Sequence, residues 1–292
     1  MANARLYFVH ALSPLHPGTG QGVGVIDLPI AREKATGIPY LPGSSVKGVL
    51  RDAVQASGNS NLVKSLFGPD TSNAAEHAGA VQLADARLLL LPIRSLRGTF
   101  AWVTSPYLLR RLARDAGGTG LQTPVGFPTP ARRQQALVSG DAIVYSDQNR
   151  NLAVLEDLDL PVERRDDVVS WAEWIGQYIF SSADEQTMLK ERLCVVHDDV
   201  LGFLLTTATE VVARIRLEPE RKTVAEGALW YEEALPAETL LYGVIFAQTI
   251  GKYGMHQAFV DLAALSGRVY QFGGKATVGR GLCRFQIAGG KQ

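Results

Sequence analysis

The chain has 292 residues, 46% of them hydrophobic, with 29 basic and 29 acidic side chains. That is enough apolar material for one large domain or two small ones, and it excludes wholesale disorder. Cys194 and Cys283 form no CxxC or metal-ligand spacing, and no apolar run approaches the roughly 18 residues of a membrane span, so a reduced, cytoplasmic setting with no membrane partner is expected.

In chain order, residues 5 to 12 read as a strand, followed by the glycine-rich loop 14 to 22 and a second short strand through Ile26, Asp27 and Leu28. A helix is predicted from about Ser45 to Gly58, because Val46, Val49, Leu50, Ala53 and Val54 fall on one face. Residues 80 to 93 and 98 to 104 read as strands. Ser105 and Pro106 have the character of a cap and a first-turn proline for an arginine-rich helix that stops at Gly117 and Gly118. Residues 117 to 130 are rich in Gly, Pro and Thr and read as a surface loop or inserted arm. Two helices follow at 166 to 180 and 184 to 193, with Trp171 and Trp174 assigned to the core. Residues 210 to 217 and 228 to 248 alternate as long strands around the polar tip 218 to 227. A helix near 255 to 265 and two strands flanking the loop 273 to 281 close the chain. No GxGxxG leads from the first strand into a helix. The order fits an α+β, ferredoxin-like or RNA-recognition-type sheet with inserted loops, helices and hairpins better than a doubly wound one.

The zero net charge hides an uneven distribution. Residues 87 to 133 hold eight arginines and one acid, 268 to 292 hold five cations and no acid, and 141 to 200 hold 14 acids against five bases. Such a chain can offer a basic groove to a polyanion, and its acidic stretch could meet the basic stretch of a neighbouring copy. Solvated surface charge that happens to cluster is the alternative.

Three constellations could carry chemistry. The helix start at Gly43 presents amides and a partial positive charge, with Ser44 and Ser45 as hydroxyl donors and Lys47 and Arg51 as cations. A plain capped helix would look similar. The Ser44-x-x-Lys47 spacing of serine acyl-hydrolases lacks its SDN and KTG companions. The loop Gly273, Gly274, Lys275, Ala276, Thr277, Val278, Gly279, Arg280, Gly281 lets backbone amides approach a ligand closely but lacks the GxxxxGK[ST] order of a triphosphate loop. Asp27, among Val25, Ile26, Leu28 and Pro29, is either a structural acid paired to an arginine such as Arg32 or a functional one, with His16 in the preceding loop. A tight metal cage is not expected. A loosely held divalent ion (Mg or Mn) on one carboxylate, waters and a substrate phosphate is feasible.

The runs GVGVIDLPIARE, GIPYLPGSSVKGVLRD, GALWYEEALPAETLLYG and FGGKATVGRG lie in the expected order across nearly the whole chain. They resemble the backbone subunit of type III-B (Cmr) CRISPR effector complexes in the RAMP superfamily. The resemblance implies a single domain spanning 1 to 292, with an insertion over 105 to 200 and a β-hairpin thumb at about 210 to 235. It implies CRISPR guide RNA, single-stranded target RNA, further copies in a helical stack and other effector subunits as partners. It also implies metal-dependent endonucleolytic cleavage of target RNA at regular intervals, next to each nucleotide the thumb displaces. The family's acid maps onto Asp27, as catalytic residue and metal ligand. Its serine-lysine helix start maps onto Ser44, Ser45 and Lys47, and its glycine loop onto Gly273 to Gly281. His16 is placed beside Asp27 as a second catalytic residue, and how far His16, Tyr231, Glu232 or Glu233 assists stays open. The alternatives are a non-catalytic RNA-binding scaffold and a stand-alone guide-processing ribonuclease, for which the glycine loop offers only Lys275.

Overall fold

The computed structural model describes residues 3–20, 22, 25–69, 78–147, 150–217 and 224–289. Strand β1 (Ala4–Ala11) is an unbroken apolar run because both its faces are covered: Leu6 and Phe8 join one core, Tyr7, Val9 and Ala11 the other. The short β2 (Tyr40–Leu41) leads into α1 (Gly43–Ala56), which buries Val46, Leu50 and Val54. In α2 (Ser60–Phe67) the Asn59 side chain caps the N-terminus, accepting from the Leu62 amide at 3.0 Å. Strands β3 (Val81–Leu83), β4 (Ala86–Arg94) and β5 (Phe100–Thr104) then precede α3 (Pro106–Gly118). The first-turn proline is in place there, but the Ser105 side chain makes no capping hydrogen bond.

The stretch 105 to 200 continues with β6 (Ala136–Val138), β7 (Tyr145–Asp147), β8 (Arg150–Leu155) and β9 (Leu158–Arg164), none of which the residue pattern marks as a strand. Helices α4 (Asp166–Ile179) and α5 (Ala183–Arg192) match the expected pair and lead to β10 (Leu193–Val196) and α6 (Asp198–Thr207). Next come β11 (Glu210–Leu217), β12 (Val224–Ala234), β13 (Leu240–Ala247), α7 (Met255–Ala263), β14 (Arg268–Gln271) and β15 (Leu282–Ile287). The single strand expected over 228 to 248 is two strands, β12 and β13, separated at Leu235 and Pro236. The tip residues 218 to 223 lie outside the described residues.

One 13-stranded sheet runs β14-β15-β1-β13-β4-β5-β10-β6-β9-β8-β7, with β2 beside β4 and β3 beside β13. Along β15, β1, β13 and β4 each strand is antiparallel to its neighbour. Helix α1 lies between β1 and β4 in sequence and α7 between β13 and β15, which is the βαββαβ arrangement of the ferredoxin-like fold. The 105 to 200 stretch extends this same sheet, because β10 pairs with β5. Side chains of α1, α2 and α7 pack in the core on one face, and those of α3, α4 and α5 on the other. Trp171 and Trp174 are buried as expected. Their indole N–H groups donate to the Gly126 and Gln122 carbonyls, at 3.1 and 2.7 Å, so the irregular 117 to 130 segment is fastened down onto α4.

The hairpin β11–β12 forms its own two-stranded sheet. Its outer face carries Val211, Ile215, Leu229 and Tyr231, all at least 38% exposed. Among the described residues no helix is long and apolar enough to cross a membrane.

Candidate active site and nucleic-acid interface

The foot of β12 organises the site. Residues 26 to 28 form no strand. They dock on β12 by one parallel bridge, Leu28 with Glu232, the Leu28 amide donating to the Tyr231 carbonyl at 3.1 Å and the Glu233 amide to the Leu28 carbonyl at 3.0 Å. Pro29, which has no amide to donate, follows at once and cuts the pairing short. Asp27 is exposed, and its Oδ2 accepts the Tyr231 amide at 2.8 Å. Its other oxygen makes no hydrogen bond among the described residues. Arg32 is not its partner: it reaches Glu233 at 2.6 Å and donates to the Gly37 and Leu205 carbonyls.

Glu233 is buried and saturated. Beyond Arg32, it accepts from the Ile30 amide at 3.1 Å and the Thr209 hydroxyl at 2.9 Å. These bonds anchor the chain just after Asp27 to the hairpin base. His16 is buried too, with Nδ1 2.6 Å from the Glu233 carbonyl oxygen. Asp27 and His16 therefore meet β12 at main-chain groups two residues apart, and no hydrogen bond joins them among the described residues.

The glycine loop packs on the His16 loop. The Gly274 amide donates to the His16 carbonyl at 2.9 Å and the Gly281 amide to the Pro14 carbonyl at 2.8 Å. Gly273 has φ of 70°, and a Cβ there would collide with the His16 carbonyl, so glycine is required twice over. Gly279, at φ 79°, closes the 276 to 278 turn. The loop cations are not the open pair expected from sequence. Lys275 donates to Glu232 at 2.8 Å, and Glu232 also accepts from the Trp230 indole at 2.7 Å and lies 3.4 Å from Arg214. Burial pushes the Glu232 carboxyl upward, but the bonds from Lys275 and Trp230 and the charges of Lys275 and Arg214 outweigh it and hold it near about 2. Arg280 is 5% exposed, and its buried Nη1 has no hydrogen-bond partner.

The start of α1 is also less open than its sequence implies. The Gly43 amide donates to Asp85 at 2.7 Å, so an internal carboxylate already occupies part of the N-terminal positive end. The Ser45 and Val46 amides bond the Pro42 carbonyl. The Ser44 side chain is exposed. Lys47 has no partner among the described residues, and burial first, then the charge of Arg51, lowers its pKa. Arg51 donates to the Gly68 and Pro69 carbonyls.

Four of the eight arginines of the 87 to 133 stretch form ion pairs within the chain. Arg87 and Arg114 pair with Asp115 and Arg111 with Glu33, while Arg133–Asp199 and Arg284–Glu185 join basic stretches to the acidic one. Both cysteines are buried, and burial pushes their thiols up to about 12, which excludes a thiolate nucleophile. No group of three or more His, Cys, Asp or Glu among the described residues could cage a metal ion.

The structure thus brings Asp27, His16, Lys275 and the glycine loop together around β12, while Ser44, Ser45, Lys47 and Arg51 share α1. Sequence reasoning missed Asp85, Arg214 and the anchoring by Glu233. The adjacent acids Glu232 and Glu233 in an otherwise apolar run were the available signal for the last.

A ferredoxin-like α+β core with a separate hairpin and a glycine loop at its base defines the class. The chain belongs to the RAMP superfamily, whose family model matches residues 8–284. The "CRISPR system Cmr endoribonuclease Cmr4" of Pyrococcus furiosus is 36% identical to it, across 97% of this chain and 95% of that one. The crystal structure of oligomeric Cmr4 from the same organism superposes with a TM-score of 0.77 at 28% identity, covering 99% of each chain. A chain in the cryo-EM structure of the type III-B Cmr-beta complex bound to cognate target RNA shares the fold, with a TM-score of 0.74 at 21% identity over 97% of this chain and 96% of that one.

Proposed function

We propose that this chain is the guide-RNA-binding backbone subunit of a type III-B CRISPR effector complex. It works in the cytoplasm, stacked with further copies of itself and beside other effector subunits, and it cuts target RNA endonucleolytically at regular intervals. The carrying observation is the exposed Asp27 carboxylate, held by the Tyr231 amide at the foot of the β11–β12 hairpin. The 36% identity to a protein named an endoribonuclease supports the same reading.

The fold constrains how RNA is read. In an open RNA-recognition sheet, surface aromatics stack on bases. Here Phe8, Trp102 and Tyr242 are buried, and both sheet faces carry helices. Contact therefore falls to loops and helix ends, which grip phosphates and 2′-hydroxyls without reading sequence. A subunit that must accept any guide needs that property, and base pairing then supplies specificity. Arg280 suits a phosphate, since its buried Nη1 has no hydrogen-bond partner among the described residues and such a donor is costly unless an acceptor meets it.

The hairpin acts as the thumb. Its exposed apolar face can wedge into a stack, and displacing one nucleotide costs a few kcal/mol of unstacking. The strand bends there, which can bring a 2′-oxygen in line with the adjacent phosphorus. Asp27 then either takes the proton from that hydroxyl as the 2′-oxygen attacks and the 5′-oxygen leaves, or orients a hydrated cation. The free oxygen of Asp27 fits a single-carboxylate site, where Mg²⁺ or Mn²⁺ shared with a substrate phosphate would stabilise developing charge. Lys275, fixed by Glu232, supplies positive charge near the loop, and His16 supports the Asp27 segment through Glu233.

The deciding experiment compares complexes assembled with Asp27→Asn and with the parent chain. The variant should bind target RNA normally and fail to cut it. Cutting at the parental rate would make Asp27 a structural acid. Intact cleavage of a target with 2′-deoxy at the cut position would remove the internal-attack route.

A further inference from the structure

We infer that His10 and Glu238 are positioning residues for the cut, a clamp that holds the root of the β11–β12 hairpin against β1 in one arrangement. This rests on the cleavage reading of the hairpin foot and adds to it the pair that fixes how the hairpin leaves the core. The chain ends β12 at Ala234 and enters β13 at Leu240. Between them, Leu235 exchanges two main-chain hydrogen bonds with Leu15, each 2.8 Å, and the Glu238 amide donates to the Ala11 carbonyl at 2.7 Å. The Trp102 indole donates to the Glu238 carbonyl at 2.8 Å. Leu15 precedes His16 in the loop that leads to Asp27, so the same bonds tie the hairpin root to the site.

Glu238 has φ of 71°, in the left-handed region where a side chain is strained. Glycine would make both main-chain bonds there without that strain. What only the glutamate supplies is its carboxylate, whose Oε2 lies 2.7 Å from Nε2 of His10. His10 continues the face of β1 that buries Leu6 and Phe8 and is itself 4% exposed. Its ring meets Phe180 edge-on at 5.3 Å, and its Nδ1 has no hydrogen-bond partner among the described residues. An apolar side chain there would leave no polar atom to satisfy. The pair thus carries a strained backbone and an unsatisfied buried nitrogen, both of which leucine and glycine would avoid. Stability alone does not account for it, whereas a buried polar pair can select one packing arrangement over others. Thr99 and Glu156 are left-handed too, but both are exposed and their side chains make no hydrogen bond among the described residues. Lys275 shares the conformation and reaches Glu232 in the site.

The test uses Glu238→Gln, Glu238→Gly and the double change His10→Leu with Glu238→Gly. In the free protein the double variant should melt at or above the parent, while native-state amide exchange at Leu15 and Leu235 should quicken by about tenfold, as for a local opening. In assembled complexes its single-turnover cleavage should slow by about tenfold or more, with target-RNA affinity within about twofold of the parent, because misplaced reacting groups lose rate before binding. Glu238→Gly alone leaves His10 without its acceptor and should slow cleavage in the same way. Glu238→Gln keeps an acceptor for His10 and should cut within about twofold of the parent. Parental cleavage by the double variant overturns the inference, and loss of cutting by Asp27→Asn in the same assay shows that the site reading still stands. A lowered midpoint, with exchange quickened throughout the sheet, makes the pair an ordinary stabiliser and overturns the inference too. If the parent itself does not cut, the site reading falls, and exchange at Leu15 and Leu235 decides the clamp alone: parental exchange there sinks it.

Discussion

The foot of β12 and the start of α1 would meet a polyanion in opposite ways. Around β12 the buried acids are balanced, Glu233 by Arg32 and Glu232 by Lys275 and Arg214, while Asp27 faces outward. Along α1 the internal balance is thinner. Asp85 takes one amide, and Lys47 has no partner among the described residues. The first region is built to hold a carboxylate still, the second to receive charge from outside. The difference shows that counting cations along a chain says little about which of them are available.

The largest effect expected from breaking this contrast is on catalysis. Asp27→Ala should lower the cleavage rate of the assembled complex by about 10²-fold or more, the range of a lost general base, with the unfolding midpoint unmoved because the side chain is exposed. Single-turnover cleavage and a thermal melt on the same preparation check both halves. A shifted melt would move Asp27 into the structural class with Glu233.

Glu233→Ala should do the reverse and act on stability first. It strands Arg32 and removes acceptors from the Ile30 amide and the Thr209 hydroxyl, so a loss of about 3 kcal/mol is expected, as for breaking a buried pair. Denaturant titration measures it. Cleavage should fall as well, because the Asp27 segment loses its anchor.

A smaller effect separates Glu232 by pH. Its folded pKa is depressed to about 2 from an ordinary 4.5, so its ionisation stabilises the fold above about pH 4.5, and that contribution fades as pH falls toward 2. The stability gap between the parent and Glu232→Gln should therefore narrow over that window. A gap constant with pH would mean that the carboxylate charge is not what Lys275 and Arg214 hold.

The smallest effect on the free protein belongs to Arg280. Arg280→Met removes a buried guanidinium whose Nη1 has no hydrogen-bond partner among the described residues, so stability should change little. RNA affinity should drop, and its salt slope should flatten by about 0.7 for each phosphate the guanidinium had neutralised. Unchanged affinity would place Arg280 with the internally used arginines and remove it from the interface.

Much of the scaffold was legible in the residue order. The i, i+4 burial of Val46, Leu50 and Val54 marked α1, and the apolar run after Arg5 marked β1. The two tryptophans of α4 read correctly as core. Strands β7 to β9 did not, because their short segments carry polar residues and pair at the far end of the sheet, where only neighbours define them, and β6, though apolar, is only three residues long. Within the site, Asp27 and the glycine loop stood out as isolated features in their surroundings. Their partners did not: Asp27 and Tyr231 are 204 residues apart, and Lys275 and Glu232 are 43 apart.

Sequence alone determined that this chain has a ferredoxin-like core, one conspicuous acid, a glycine loop and a serine-lysine helix start, because local propensity and periodicity are written in neighbouring residues. Only the tertiary structure decided which charges are free. Lys275, Arg280 and most of the arginine-rich stretch look alike in one dimension, and long-range ion pairs and burial, set by how the sheet brings distant segments together, separate them.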